Sequence, residues 1–197
     1  MHLSSIIIYL SLTTAATAIL SLRTVKDPAR EYLTSVCYPN YSNNTRFIAL
    51  RLALNNITSS LANSPFPCEQ ALYIENACSA NGTTEIDFLA EQECLCNGAY
   101  FDVLAGCDAC YYEHGYTALP PAEASSSRSS LSVAECGPTP PYQPFSNLLP
   151  AVNATSIENA PAITLGTDRF PNNTAVSNYW TAAGPVTPGA ITGSATG

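Results

Sequence analysis

The chain has 197 residues with 15 acidic and seven basic side chains, which give a formal net charge of −8. Nucleic acids and anionic lipid surfaces are disfavoured as partners, because both are bound through basic patches. Only 11% of the residues are charged, below the average of about 25% in globular proteins, and the length suits one modest domain with additional segments.

The first 18 residues have the pattern of a secretory signal peptide. An apolar run over residues 3–12 precedes Ala16-Thr17-Ala18, which supplies a small-x-small cleavage site. A buried N-terminal helix is the alternative, whereas the run is too short and too threonine-rich for a membrane span. We therefore predict export, with a mature chain that begins at Ile19 and has no transmembrane span.

Six Asn-x-Ser/Thr sequons follow this segment. A single sequon arises easily by chance, but six behind a signal peptide favour glycosylation at some of them. The predicted glycosylation sites are Asn40, Asn43, Asn56, Asn81, Asn153 and Asn172.

Residues 19–137 contain all eight cysteines and predict an all-α domain, a small disulfide-stabilised bundle of about four to five short helices. Asp27 and Pro28 offer an N-cap followed by proline at the first helical position. A second helix is predicted from an apolar stripe with helical spacing: Phe47, Leu50, Leu54, Ile57 and Leu61. Asn56 lies on the opposite face of this helix, so its sequon is expected to face solvent.

Three more helices are predicted before Gly115, which is expected to stop the last of them. One runs from about residue 68 to 78, and its apolar side consists of Ala71, Ile74, Ala77 and Cys78. The next begins at a capping box of Thr84 and Asp87, and its inward side chains are Ile86, Leu89 and Ala90. The last covers about residues 99 to 112 and leaves Gly106 outside its apolar face, which consists of Tyr100, Val103, Leu104, Cys107 and Tyr111.

The remainder of the chain has a different composition, since 11 of the 15 prolines lie from Pro120 onward. Residues 122–132 are rich in serine and are interpreted as a flexible connector that Cys136 ties back to the domain. Residues 138–197 are predicted to form an extended, largely irregular Pro/Ser/Thr-rich tail, because such a composition cannot assemble a large core.

An even number of cysteines in an exported chain predicts four disulfides. The cysteines concerned are Cys37, Cys68, Cys78, Cys94, Cys96, Cys107, Cys110 and Cys136. All 105 connectivities stay open, except that Cys94 and Cys96 are not expected to pair with each other, because so small a ring is strained.

Two other interpretations compete for the same cysteines. Cys94-x-Cys96 followed by Cys107-x-x-Cys110, with His114 nearby, is similar to a set of zinc ligands. Cys107-x-x-Cys110 also matches a redox motif, although the βαβ context of that motif is missing. Oxidised cysteines cannot hold zinc, so behind a signal peptide we predict no metal and no cofactor.

Catalytic groups are scarce in this sequence. His114 is the only histidine after the signal peptide, and at the end of a helix we expect it to offset the helix dipole or to bond a terminal carbonyl. Residues 69–113 hold nine carboxylates and no Lys or Arg. A glycosidase pair or adventitious cation binding is the alternative there, but the order of an EF-hand loop is absent. We predict a solvated acidic face and no enzyme.

Two blocks carry a resemblance to a known group of proteins. They are residues 93–115, with Cys-Leu-Cys, Gly-Cys-Asp-Ala-Cys and Tyr-Tyr-Glu-His-Gly, and residues 178–197, which begin Asn-Tyr-Trp. Both blocks resemble uncharacterised cysteine-rich secreted proteins of filamentous ascomycete fungi. The resemblance implies a location at the cell surface or in the medium and implies no activity.

A partial resemblance is to the CFEM domain, a fungal helical module with eight cysteines. The order C-x9-C, then Asp87, then C-x-C-x10-C-x2-C is similar to that of the family. It implies a haem ligand at Asp87. Members of such fungal groups often carry a glycolipid anchor, whose signal needs a hydrophobic C-terminal stretch. The given sequence ends at Gly197 without one, so release, or a sequence that continues, is expected.

These features together predict a secreted or cell-wall-associated fungal glycoprotein that acts by interaction. Its partner is expected to be extracellular: a wall polysaccharide, a host surface or a protein. The first alternative is a CFEM-like haem or iron module with Asp87 as ligand, and the second is a small acidic hydrolase.

Overall fold

The computed structural model describes residues 27–42, 59–137, 143–149 and 162–196. These residues form five helices of 10 to 16 residues and no strand: α1 (Pro28–Cys37), α2 (Pro67–Cys78), α3 (Glu85–Cys96), α4 (Tyr100–Glu113) and α5 (Pro121–Cys136). The predicted all-α class is confirmed. None of the described helices has the length and apolar character that crossing a membrane requires.

Helix α1 begins as its sequence predicts. The carboxylate of Asp27 accepts hydrogen bonds from the backbone N–H groups of Ala29 and Arg30, and Pro28 occupies the first turn. Leu33 and Val36 face the core. The helix predicted from the stripe at residues 47–61 lies largely outside the described residues, which resume with a 3₁₀ turn, Ser59–Asn63.

The second and third helices are confirmed, but two of their faces differ from the prediction. Ala77 of α2 is exposed, because the side that packs on α4 is centred on Ile74. Ile86 of α3 is 49% exposed, because only the second half of this helix, from Glu91 onward, is buried. The capping box at the start of α3 forms as predicted.

Helix α4 crosses the centre of the bundle and ends in a Schellman motif. The N–H of Tyr116 donates to the carbonyl of Tyr111 at 2.9 Å, and the N–H of Gly115 donates to that of Tyr112 at 3.0 Å. Gly115 has a φ of +90°, a left-handed conformation that only glycine adopts without strain. The predicted helix stop is therefore confirmed.

The prediction of a flexible connector over residues 122–132 is wrong, because these residues lie within helix α5. Pro121 stands in the first turn, and Ala124 is buried. Arg128 in the middle of the helix pairs with Asp108 of α4. Serine has only a modest helix propensity, so these tertiary contacts select the helix.

Four disulfides use all eight cysteines, as predicted. They join α1 to α4 (Cys37–Cys110), α2 to α4 (Cys68–Cys107), α2 to α3 (Cys78–Cys94) and α3 to α5 (Cys96–Cys136). Cys94 and Cys96 reach different helices, as expected. All five helices thus belong to one covalent network.

The main core lies between α2, α3 and α4 and also takes in a residue from beyond the cysteines. Its buried members are Ala71, Ile74, Cys78, Cys94, Leu95, Tyr100, Val103 and Phe145. The ring of Phe145 meets that of Tyr100 edge to face, with 5.5 Å between centroids. Segment 143–149 is therefore anchored to the helical domain by an aromatic contact of a favourable geometry.

Residues 162–196 are irregular, as predicted, and they follow the helix ends of the domain. The carbonyl of Thr187 accepts from the N–H of Ala99, and the N–H of Gly189 donates to the carbonyl of Cys94. A Cβ atom on Gly98 would lie 2.5 Å from the backbone nitrogen of Gly189, so the tail and the turn between α3 and α4 touch backbone to backbone. The tail thereby satisfies groups that helix ends leave without partners.

The ring of Trp180 is a second contact between tail and domain. It covers Gly106 of α4, where a Cβ atom would lie 2.6 Å from Cγ of the indole. The prediction that Gly106 lies outside the packed face of α4 is therefore wrong. A glycine at this position gives the indole room to lie against the helix backbone.

Candidate functional site

Three of the six predicted glycosylation sites lie on described, exposed residues: Asn40, Asn81 and Asn172. The side-chain nitrogen of Asn40 also donates to Oε2 of Glu69 at 3.0 Å. Asn43, Asn56 and Asn153 lie outside the described residues. Glycosylation at all six stays a prediction.

Asp87, the haem ligand in the CFEM-like alternative, belongs to the cap of α3. Its Oδ2 accepts from the N–H of Thr84 at 2.8 Å and from the Thr84 hydroxyl at 2.7 Å. These hydrogen bonds hold the pKa of the Asp87 carboxyl below its usual range. Because the charged form is already satisfied locally, the geometry gives Asp87 a capping role, and haem ligation stays a hypothesis.

His114 follows the last residue of α4, as predicted, but its side chain has a different partner from the one expected. It is fully buried, and its Nδ1 lies 3.3 Å from Oδ1 of Asp168 in the tail. The hydroxyl of Tyr32 donates to the other oxygen of that carboxylate, and burial and this carboxylate raise the Tyr32 pKa. The group joins α1, α4 and the tail, and its burial keeps the imidazole away from an external substrate.

The predicted solvated acidic face is wrong for two of its nine carboxylates, Glu69 and Glu91, which are buried. Oε1 of Glu69 accepts from the N–H of Asn40 at 2.8 Å. Oε2 of Glu91 accepts from the N–H of Phe145 at 3.0 Å. Backbone donors thus compensate the cost of burying these charges, which makes them structural acceptors.

Glu91 also borders a cavity of about 340 Å³, together with Glu75 and the rings of Phe88 and Phe145. Burial raises the pKa of the Glu91 carboxyl. A second carboxyl that the charge of Glu91 affects is that of Glu135. Glu135 is 1% exposed, and its Oε2 has no hydrogen-bond partner within the described part of the chain. Burial, and then the charge of Glu91, raise the pKa of Glu135 to about 7.

A second concave region, which we call the tyrosine groove, lies among α1, α4 and α5. It consists of two cavities of about 280 and 290 Å³ that share Asp108, Leu119 and Ala124. Tyr111 and Tyr116 line the first cavity, and Tyr112 lines the second.

Polar groups lie where the two cavities of the tyrosine groove meet. The carboxylate of Asp108 pairs with the guanidinium of Arg128, and both side chains are partly exposed. Burial raises the pKa of the Asp108 carboxyl, and the charge of Arg128 opposes that rise. The groove therefore combines aromatic walls with one ion pair, an arrangement suited to holding a small polar ligand.

Sequence reasoning missed this groove. The cluster of tyrosines at residues 111–116 is visible in the sequence, but the opposite wall depends on α5, which was interpreted as a connector. Within the described ranges, no group of three or more His, Cys, Asp or Glu side chains is placed to hold a metal ion.

The chain matches no protein-family model, and comparison with curated proteins and with solved structures found no match either. Its function is therefore inferred from its own residues.

Proposed function

We propose that this chain is a secreted or cell-wall-associated fungal glycoprotein that acts by binding an extracellular partner and catalyses no reaction. The observation that carries the proposal is that all eight cysteines form four disulfides. Such bonds persist in oxidising compartments, and reducing agents of the cytosol remove them. A chain whose five helices are joined in this way is suited to life outside the cell.

The burial of the chemically active side chains supports binding over catalysis. His114 is enclosed with Asp168, and Glu69 and Glu91 are occupied by backbone donors. The tyrosine groove, by contrast, is open to a partner. A wall polysaccharide, a host surface or a protein are the classes of partner that we propose.

A small acidic hydrolase is the second candidate. It is favoured by the presence of Glu75 and Glu91 on one cavity, since two carboxyl groups flanking a bond are the usual equipment of a glycosidase. Glu91 already binds the N–H of Phe145, however, which leaves it poorly placed to transfer a proton. A CFEM-like haem module has less support, because Asp87 is occupied by its cap.

The test is to secrete the full chain from a yeast host and to compare the medium with the washed cell wall. We expect the intact mass after deglycosylation to begin at Ile19 and to lack the hydrogens of four disulfides. The variant Asn81→Gln should lose the mass of one glycan. Asn63→Gln serves as a matched control, since Asn63 is exposed and belongs to no sequon.

Free thiols, a retained leader or a bound haem in that mass would contradict the proposal. Hydrolysis of a polysaccharide that is abolished by Glu75→Gln would instead favour the second candidate. A protein that is exported intact and inert in hydrolysis assays supports the binding function.

A further inference from the structure

We propose that the tyrosine groove is a binding site for a neutral oligosaccharide. This inference rests on the proposed function and deepens it, because it specifies the partner's chemical class and the surface that meets it. Three features of the groove carry it: its shape, its balance of charge and its alternation of aromatic and polar walls.

The shape fits an elongated ligand. The two cavities of about 280 and 290 Å³ are neighbours, because Asp108, Leu119 and Ala124 line both of them. Sites for small molecules usually measure about 300–1,000 Å³, so each cavity alone is small and the two together reach that range. A linear chain of sugar rings would place one ring in each cavity.

The charge of the groove points to an uncharged ligand. The whole chain carries a net charge of −8, yet the groove is lined by two arginines, Arg30 and Arg128, and two acids, Asp108 and Glu113. Arg128 pairs with Asp108, Arg30 lies 3.9 Å from Asp27, and Glu113 pairs with Arg169. With each charge already balanced, the groove offers hydrogen bonds without a net field that would select an ion.

The walls suit a molecule that is apolar on its faces and polar on its edges. Tyr111 and Tyr116 present aromatic surface, and Leu119 is 37% exposed beside them. The carboxylate of Asp108 offers acceptors and the guanidinium of Arg128 offers donors, side by side. A sugar ring has C–H faces that pack on aromatic rings and adjacent hydroxyls that use both kinds of group.

The test is calorimetric titration of the full glycosylated protein with three hexasaccharides. Two are neutral, a β-1,3-linked glucose oligomer and an N-acetylglucosamine oligomer, and the third is an anionic galacturonate oligomer. We expect saturable binding of at least one neutral hexasaccharide. Leu119→Ala and Asp108→Asn should each weaken it about tenfold, the equivalent of one lost contact of moderate strength.

Two matched controls keep the test specific. Val133→Ala removes apolar surface from a residue of α5 that is 70% exposed and lies outside the groove. Asp102→Asn changes an acid on the same helix as Asp108 and also outside the groove. Both should retain binding within about twofold, a difference of less than 0.5 kcal/mol.

Absence of saturable binding to both neutral oligomers would overturn the inference, and so would preferential binding of the galacturonate oligomer or equal affinity in groove variants and controls. Comparing the medium with the washed cell wall for the same variants distinguishes a wrong binding site from a wrong proposed function. A groove variant that is exported normally and stays with the wall would refute the groove as the site while the extracellular binding function stands.

Discussion

The helical domain and the tail are held in place by different kinds of bond. Four disulfides join the five helices into one covalent network, whereas residues 137–197 contain no cysteine. The tail is attached by backbone hydrogen bonds to helix ends, by the contact of the Asp168 carboxylate with the buried imidazole of His114, and by the ring of Trp180.

Because of this difference, we expect the domain and the tail to resist unfolding to different degrees. Without a reducing agent, the disulfides restrict the conformations of the unfolded domain, but the tail depends on contacts that can open one after another. We therefore expect the tail to detach before the domain unfolds. Three predictions, ordered by expected size of effect, examine these two regions: two concern the helical domain, and the third concerns its contact with the tail.

The largest effect should come from removing the disulfide that closes the longest loop. Cys37–Cys110 spans 73 residues and Cys78–Cys94 spans 16. Replacing both cysteines of the first pair by alanine should cost about 4 kcal/mol of unfolding free energy, and the same change in the second about 3 kcal/mol. Urea unfolding followed by circular dichroism measures both, and the reverse order would contradict the loop-length account.

A smaller effect, of about 2 kcal/mol, is expected at Glu135 and depends on pH. Its pKa is raised from 4.5 to about 7, so between these values the folded protein keeps a proton that the unfolded chain releases. The contribution of Glu135 to stability is therefore largest below about pH 4.5 and falls as the pH rises to about 7. Glu135→Gln should remove most of that fall and stabilise the protein at pH 8 by about 2 kcal/mol, because an amide stays uncharged at every pH.

The matched control is Glu123→Gln on the same helix, which is exposed and should leave the pH dependence as it is. Thermal unfolding at pH 4, 5.5 and 8 would show the three profiles. Identical slopes in the parent protein and in Glu135→Gln would refute the assignment.

The smallest effect is expected where tail and domain meet. A methyl group at position 106 would lie 2.6 Å from Cγ of Trp180 and 2.8 Å from Cβ of Pro67. Overpacking of this kind costs about 1–3 kcal/mol, and the better helix propensity of alanine offsets about 1 kcal/mol of it. Gly106→Ala should therefore lose about 1 kcal/mol, chiefly by displacing the tail.

Fluorescence measures that displacement directly, because Trp180 is the only tryptophan in the chain. Its emission should shift to the red in Gly106→Ala at low urea while circular dichroism stays unchanged. Gly184→Ala is the control, since apart from Gly184 and its two chain neighbours no heavy atom of the described residues lies within 4 Å of the added methyl. If fluorescence and circular dichroism change together in every variant, tail and domain form one cooperative unit and the contrast fails.

Local signals explain how much of the fold could be predicted. The cap at Asp27, the capping box at Thr84 and the stop at Gly115 act within a few residues, and helices α1, α3 and α4 begin or end where these signals lie. The pairing of the cysteines could not be predicted, because it depends on which helices are neighbours.

The errors have the same physical origin. Helix α5 depends on the pair of Arg128 with Asp108, and the environment of Gly106 depends on Trp180. His114 finds Asp168 in a segment whose composition predicted only an irregular tail. These partners are distant in sequence, so neither periodicity nor propensity reveals them, and the tyrosine groove was missed for that reason.

The contact of Gly98 with Gly189 has a consequence for recognising related chains. Because the backbones touch there, with 2.5 Å between a Cβ position on Gly98 and the nitrogen of Gly189, neither position accepts a side chain in this register of the tail. Surrounding residues such as Thr187 take part through their main chain and are free to vary. Relatives that share this architecture should therefore be marked less by overall similarity than by two glycines that are retained or lost together.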